Sequence, residues 1–95
     1  MFSIQYQEET QILNISGQFD HSRVRESKEV LEKIENSLTI NMAGLDFICS
    51  GGIGLLVMTY SRLKKNGMNL YLTNLNEHIA NVFKISNLDK IFTIK

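Results

Sequence analysis

The chain is predicted to be a single α/β domain: one mixed β-sheet with helices packed on it, in the order β-β-α-β-α-β-α-β. Three observations predict this. Short stretches of alternating apolar and polar residues, the mark of a strand with one buried face, are interleaved with stretches whose apolar residues recur at helical spacing. The first two strand-like stretches are separated by only a short polar turn, which suits an antiparallel hairpin. The later ones are separated by helices, which call for parallel pairing. At 95 residues, dividing the chain would leave neither half enough buried surface for a core, so residues 1–95 form one domain.

Phe2, Ile4 and Tyr6 alternate with polar residues as a first strand, and Glu8, Glu9 and Thr10 supply the turn. The second strand is expected over 11–16 and closes at Gly17. A loop through Gln18 and Phe19 then offers Asp20 or Ser22 as a helix cap. Over 23–35, Val24, Val30, Leu31 and Ile34 fall on one helical face. Leu38, Ile40 and Met42 return to strand spacing, expected to end at Ala43 and Gly44, with 45–49 extended or turning. Ile53, Leu56, Val57, Tyr60 and Leu63 then mark a second helix, stopped by Asn66 or Gly67 in a left-handed conformation. Leu70 and Leu72 define a strand within 69–73. Asn74 and Glu77 have the spacing of a capping box before a third helix carrying Ile79, Val82 and Phe83. A last short strand is expected over 91–94.

Composition removes several classes of function. Ten basic and ten acidic residues balance, so the positive field that nucleic acid requires is missing, and no nucleic-acid partner is expected. Arg62, Lys64 and Lys65 cluster only where a helix ends, a place that favours positive charge. The single cysteine, Cys49, cannot form an intramolecular disulfide. The first residues do not resemble a secretion signal, and the longest apolar run is too short to enter a membrane. A reducing cytoplasm is the expected location.

The informative stretch is Cys49-Ser50-Gly51-Gly52-Ile53-Gly54, where a strand gives way to a helix. The first turn of a helix presents free N–H groups and the positive end of its dipole, and glycines leave room for a partner to approach. A phosphate-binding loop would need a lysine and a serine or threonine after the glycines, and none follows. A nucleophile at Cys49 or Ser50 would need a base and an orienting group. His21 and His78 are the only histidines, and no third member is evident. Ser50 then stands either as a plain helix cap, bonding N–H groups near Gly52 and Ile53, or as an exposed hydroxyl open to modification. A phosphoryl group there would add a charge of about −1.5 to −2 and three acceptor oxygens. Cys49, at the strand end, reads as a small buried hydrophobe.

The arrangement resembles a known family, the STAS domain in its single-domain bacterial form, the anti-sigma factor antagonists. The resemblance rests on Ile15-Ser16-Gly17-Gln18-Phe19-Asp20, on Ile40-Asn41-Met42, and above all on the stretch from Leu45 through Ser50 to Leu56. Asn66-Gly67 and Ser86-Asn87-Leu88 also fit. What the resemblance implies is a module that docks onto a partner and is not an enzyme. Ser50 falls on the serine that a partner anti-sigma factor, itself a serine kinase, phosphorylates to end binding, and a phosphatase reverses the step. The implied partner-binding residues are Asp20, His21, Ser22, Cys49, Ser50, Gly51, Gly52 and Ile53, with no cofactor and no metal. Cys49 replaces the aspartate usual before the serine, and Gly51 follows it. An alternative within the same family is an adaptor subunit of a membrane-associated lipid-transport complex, in which Ser50 is never phosphorylated.

Overall fold

The computed structural model describes all 95 residues. Five strands form one sheet in chain order: β1 (Ser3–Gln7), β2 (Ile12–Phe19), β3 (Leu38–Ile48), β4 (Leu70–Thr73) and β5 (Thr93–Ile94). β1 pairs antiparallel with β2, and every later pairing is parallel. The helices are α1 (Val24–Glu32), α2 (Ser50–Lys65) and α3 (Glu77–Ile85). The expected fold class and element order therefore hold.

Side-chain alternation decides which face of the sheet is buried. Leu13, Ile40 and Leu72 sit side by side on neighbouring strands and are each fully buried. They share one core with Leu31 and Ile34, with Leu55, Leu56 and Leu63 of α2, and with Ile79 and Phe83 of α3, so the helices cover that face. One residue along, Asn14, Asn41 and Thr73 form the next rung and point the other way, half-exposed. The Asn41 amide donates to Asn14 Oδ1 at 2.9 Å, and its Oδ1 accepts from Asn74 at 2.8 Å and from the Ala43 N–H at 3.1 Å.

Several boundaries differ from expectation. β2 does not close at Gly17 but runs on to Phe19, and β3 does not end at Gly44 but continues to Ile48. The glycines there bend the strands instead of stopping them: the β2–β3 register shifts after Asn14 and again after Gly17, which has φ +87°. α1 is shorter than the 23–35 stretch suggests, and a 3-10 turn at His21–Arg23 precedes it. β5 is reduced to two residues because a second 3-10 turn, Leu88–Lys90, takes up the preceding chain. The third helix is capped by Asn76, not Asn74. Asn76 Oδ1 accepts from the Ile79 N–H at 2.8 Å, while Asn74 adopts a left-handed φ of 59° and bonds Asn41.

α2 stops as its sequence indicates. Gly67 is left-handed at φ +77°, and the N–H groups of Gly67 and Met68 donate to the carbonyls of Lys64 (3.0 Å) and Leu63 (2.8 Å). Arg62 fastens α2 to α1: its Nη1 and Nη2 donate to the Ile34 and Leu31 carbonyls at 2.9 and 2.8 Å. Those carbonyls lie at and just beyond the C-terminal end of α1, where acceptors lack helical partners and the dipole favours a cation.

Candidate docking site

The elongation of β2 and β3 is what builds the site. Their last residues, Phe19 and Ile48, pair directly, and the Cys49 N–H donates to the Phe19 carbonyl at 2.9 Å. The chain after each strand therefore leaves the sheet at the same point. Asp20-His21-Ser22 emerges beside Cys49-Ser50-Gly51, at the carboxyl ends of two parallel strands. The two sequence-predicted loops are brought together.

In the first loop, Asp20 caps the 3-10 turn. Its Oδ1 accepts from the Ser22 backbone N–H at 3.0 Å and from the Ser22 hydroxyl. The Ser22 hydroxyl bond holds the Asp20 carboxyl below its ordinary value, and the Ser22 N–H, Arg23 and His21 act in the same direction, outweighing a small opposing effect of desolvation. Asp20 thus presents a negative charge at neutral pH.

In the second loop the capping role falls on a different atom from the one expected. Cys49, in extended conformation, accepts the Gly52 N–H on its Sγ at 3.3 Å. Cys49 is 6% exposed, so its thiol turns inward under the first turn of α2. Ser50 is the first residue of the helix and is exposed. The expectation that Ser50 caps the helix is corrected: the thiol occupies the cap position, and the hydroxyl is left facing outward.

The glycines of this turn are tight packing points on one side and open space on the other. A Cβ on Gly52 would lie 3.0 Å from Ile48 Cγ1 and 3.2 Å from two ring carbons of Phe19. A Cβ on Gly51 would lie 3.3 Å from Val24 Cγ2, 3.7 Å from His21 Nδ1 and 3.8 Å from Cys49 Sγ, so the two loops converge over that residue. Gly54 has nothing within 4 Å of such an atom. Ile53 is half-buried against the core, and Gly54 and Met58 are exposed one and two turns after Ser50. His78 lies on α3, exposed and outside this cluster. Sequence reasoning did not find Phe2, Phe19 and Arg23 as supports of the site. Only the Phe-Asp junction at Phe19-Asp20 hinted at an aromatic under it.

Chemically, two converging loops, an outward hydroxyl at a helix start and a fixed carboxylate make a surface that another protein can dock on. A small mixed-sheet domain with such a face belongs to the class of recognition modules. The STAS domain family model matches residues 1–95, and the chain belongs to that family. It is 30% identical over 86 residues to an anti-sigma-B factor antagonist of Staphylococcus epidermidis, covering 86% of this chain and 80% of the relative. The anti-sigma-B factor antagonist of Staphylococcus aureus is 27% identical with the same coverage. Among solved structures, the fold matches the unphosphorylated anti-sigma factor antagonist SpoIIAA with TM-score 0.75 and 20% identity, covering 100% of this chain and 88% of that one. An anti-sigma factor antagonist from Mycobacterium paratuberculosis matches with TM-score 0.80 and 17% identity, covering 99% and 83%. The Bacillus SpoIIAA structure in its phosphorylated form matches with TM-score 0.68 and 20% identity, covering 100% and 91%.

Proposed function

We propose that this protein is an anti-sigma factor antagonist that binds an anti-sigma factor with serine-kinase activity and is released when Ser50 is phosphorylated. The observation that carries the reading is the exposed position of Ser50 at the start of α2, beside the Asp20-His21-Ser22 turn. The relatives of similar length bear the antagonist name, and one structural neighbour is described in a phosphorylated form. The reading uses Asp20, His21, Ser22, Cys49, Gly51, Gly52 and Ile53 as the docking face and needs no cofactor in this chain.

The switching step is ordinary phosphoryl transfer. The γ-phosphoryl group of ATP, held by the partner, passes to Ser50 Oγ, ADP leaves, and the hydroxyl proton goes to a base of the partner. The product carries a dianion next to the Asp20 carboxylate, on a face bearing the exposed Asp46 as well. An apolar or acidic partner surface then meets like-charge repulsion and a desolvation cost, which favours release. A phosphatase restores the hydroxyl. The thiol cap supports this use of Ser50: with Cys49 Sγ taking the Gly52 N–H, the serine hydroxyl has no capping duty, so modifying it leaves the helix start intact.

The test incubates the chain with ATP and its cognate anti-sigma kinase and maps the product by mass spectrometry. Phosphate on Ser50, and loss of complex formation in Ser50→Asp but not in Ser50→Ala, is the expected result. A Ser50→Asp chain that binds as tightly as the wild type refutes the switch. A co-purifying membrane-transport partner that stays bound after phosphatase treatment would point to the adaptor role instead. The expected cytoplasmic location belongs to this proposal too; no helix of the structure is long and apolar enough to cross a membrane.

A further inference from the structure

Phe2 touches both halves of the docking face while belonging to neither. Because β1 runs antiparallel to β2, with Ser3 opposite Ser16, the first residues of the chain lie at the end of the sheet where β2 and β3 finish. There the Phe2 ring packs 5.3 Å from the Phe19 ring at an interplanar angle of 51°. Phe19 is fully buried and is the side chain against which the bare Cα of Gly52 rests, two residues after Ser50. On its other side, Phe2 lies under Arg23, whose guanidinium carbon stands 5.9 Å from the ring centroid. Arg23 closes the 3-10 turn that carries His21 and Ser22.

The approach of the chain to this point is itself built in. Gly17 has a left-handed φ of +87°, and a Cβ there would fall 1.5 Å from the Met1 carbonyl oxygen. Any other residue at this position would displace the segment that carries Phe2. The site's two loops are otherwise joined across the sheet by the Cys49 N–H to Phe19 carbonyl bond and by the convergence of Val24, His21 and Cys49 on Gly51.

The geometry points to Phe2 as a positioning residue for the Ser50 site: through Phe19 and Gly52 it sets the first turn of α2, and through Arg23 it sets the Asp20-His21-Ser22 turn. One aromatic ring thereby fixes the spacing between the hydroxyl that is modified and the loop that docks beside it. The inference rests on Ser50 being the phosphoryl acceptor. It adds that acceptor presentation depends on the N-terminal edge of the sheet. A purely structural Phe2 would lower the melting temperature and leave recognition unchanged at temperatures where the chain is fully folded.

Two measurements on the intact chain test this. In steady-state phosphorylation by the cognate kinase, Phe2→Ala is expected to raise KM for this protein by about fivefold to tenfold while kcat stays within about twofold, since an aromatic pair and a cation–π contact together account for a change of that order. Phe2→Tyr restores the wild-type value, Phe2→Leu restores it in part by keeping bulk against Phe19, and Arg23→Gln gives a smaller rise. Tyr6→Ala, on the same strand but at its opposite end, loses stability and keeps KM. In amide hydrogen exchange, without partner or ATP, Phe2→Ala speeds exchange at the Ser22 and Gly52 N–H groups by at least about fivefold. A folded Phe2→Ala or Phe2→Leu chain with wild-type KM and wild-type exchange at both amides overturns the inference. If the kinase modifies no residue at Ser50, the acceptor reading fails by itself, and the exchange measurement still decides the role of Phe2.

Discussion

Replacing Gly52 and, separately, Gly54 by alanine adds the same methyl group to the same helix two residues apart, and the structure gives the two changes opposite signs. At Gly54 the new Cβ has nothing within 4 Å, so what remains is the backbone effect. Alanine loses less conformational freedom than glycine on entering a helix, which is worth about 0.5–1 kcal/mol. For a domain of this length that raises Tm by about 3–6 °C. At Gly52 the methyl would stand 3.0 Å from Ile48 Cγ1 and 3.2 Å from Phe19 Cδ1 and Cε1, against a carbon–carbon optimum of about 3.5–4.0 Å. Ile48 and Phe19 are 6% and 0% exposed, and Phe19 is held from behind by Phe2, so neither retreats freely. Overpacking of this kind costs about 1–3 kcal/mol, which exceeds the helix gain and leaves a net loss of about 0.5–2 kcal/mol. Thermal unfolding followed by circular dichroism, with urea titration as a second measure, reads both variants. Equal shifts for the two, or a Gly52→Ala chain at least as stable as the wild type, would show that Phe19 is not packed tightly under the first turn of α2. The account of how that turn is held would then be wrong.

Two further outcomes follow from side chains outside the site. Arg62→Ala strips two charge-assisted hydrogen bonds from the carbonyls of Leu31 and Ile34 and is expected to lower unfolding free energy by about 2–3 kcal/mol in urea titration; Arg62→Lys, lacking the planar fork, recovers less than half of it. Ser27 is fully buried in α1 and its Oγ has no hydrogen-bond partner, so Ser27→Ala removes an unsatisfied hydroxyl at constant shape. It is expected to be neutral or to stabilise by up to about 1 kcal/mol, and a loss greater than about 1 kcal/mol would show that the hydroxyl is bonded in solution.

Element type and order were legible in the amino acids because they depend on periodicity. Leu38, Ile40 and Met42 can bury one face only as a strand, and Ile53, Leu56, Val57, Tyr60 and Leu63 only as a helix. Boundaries were less legible where glycine was read as punctuation. Gly17 and Gly44 pointed to strand ends, but β2 and β3 continue through them, because parallel pairing with a neighbour outweighs a local preference and a bulge absorbs the strain. The same limit hid the site's inner structure. That Asp20 and Ser50 lie on neighbouring loops followed from topology. That a thiol caps α2 did not, because cysteine is a poor cap by its ordinary chemistry and serine, next to it, is a good one. Only the inward direction of the Cys49 side chain decides between them. Asn76 was passed over for Asn74 for a related reason: both are asparagines near the helix start, and the backbone conformation of Asn74, not its side chain, is what places it one turn too early. The ties made by Phe2 and Arg62 join residues far apart in the chain and leave no local pattern to read.

The amide row formed by Asn14, Asn41 and Asn74 has a consequence for how the chain finds its alignment. Parallel strands give no hairpin to index one against the next, and sliding β3 by one residue would carry Asn41 under the helices and strand its amide without partners in hydrocarbon. A misthreaded sheet is therefore penalised at its centre, and the three asparagines act as a locating key that admits a single setting of β2, β3 and the turn after β4.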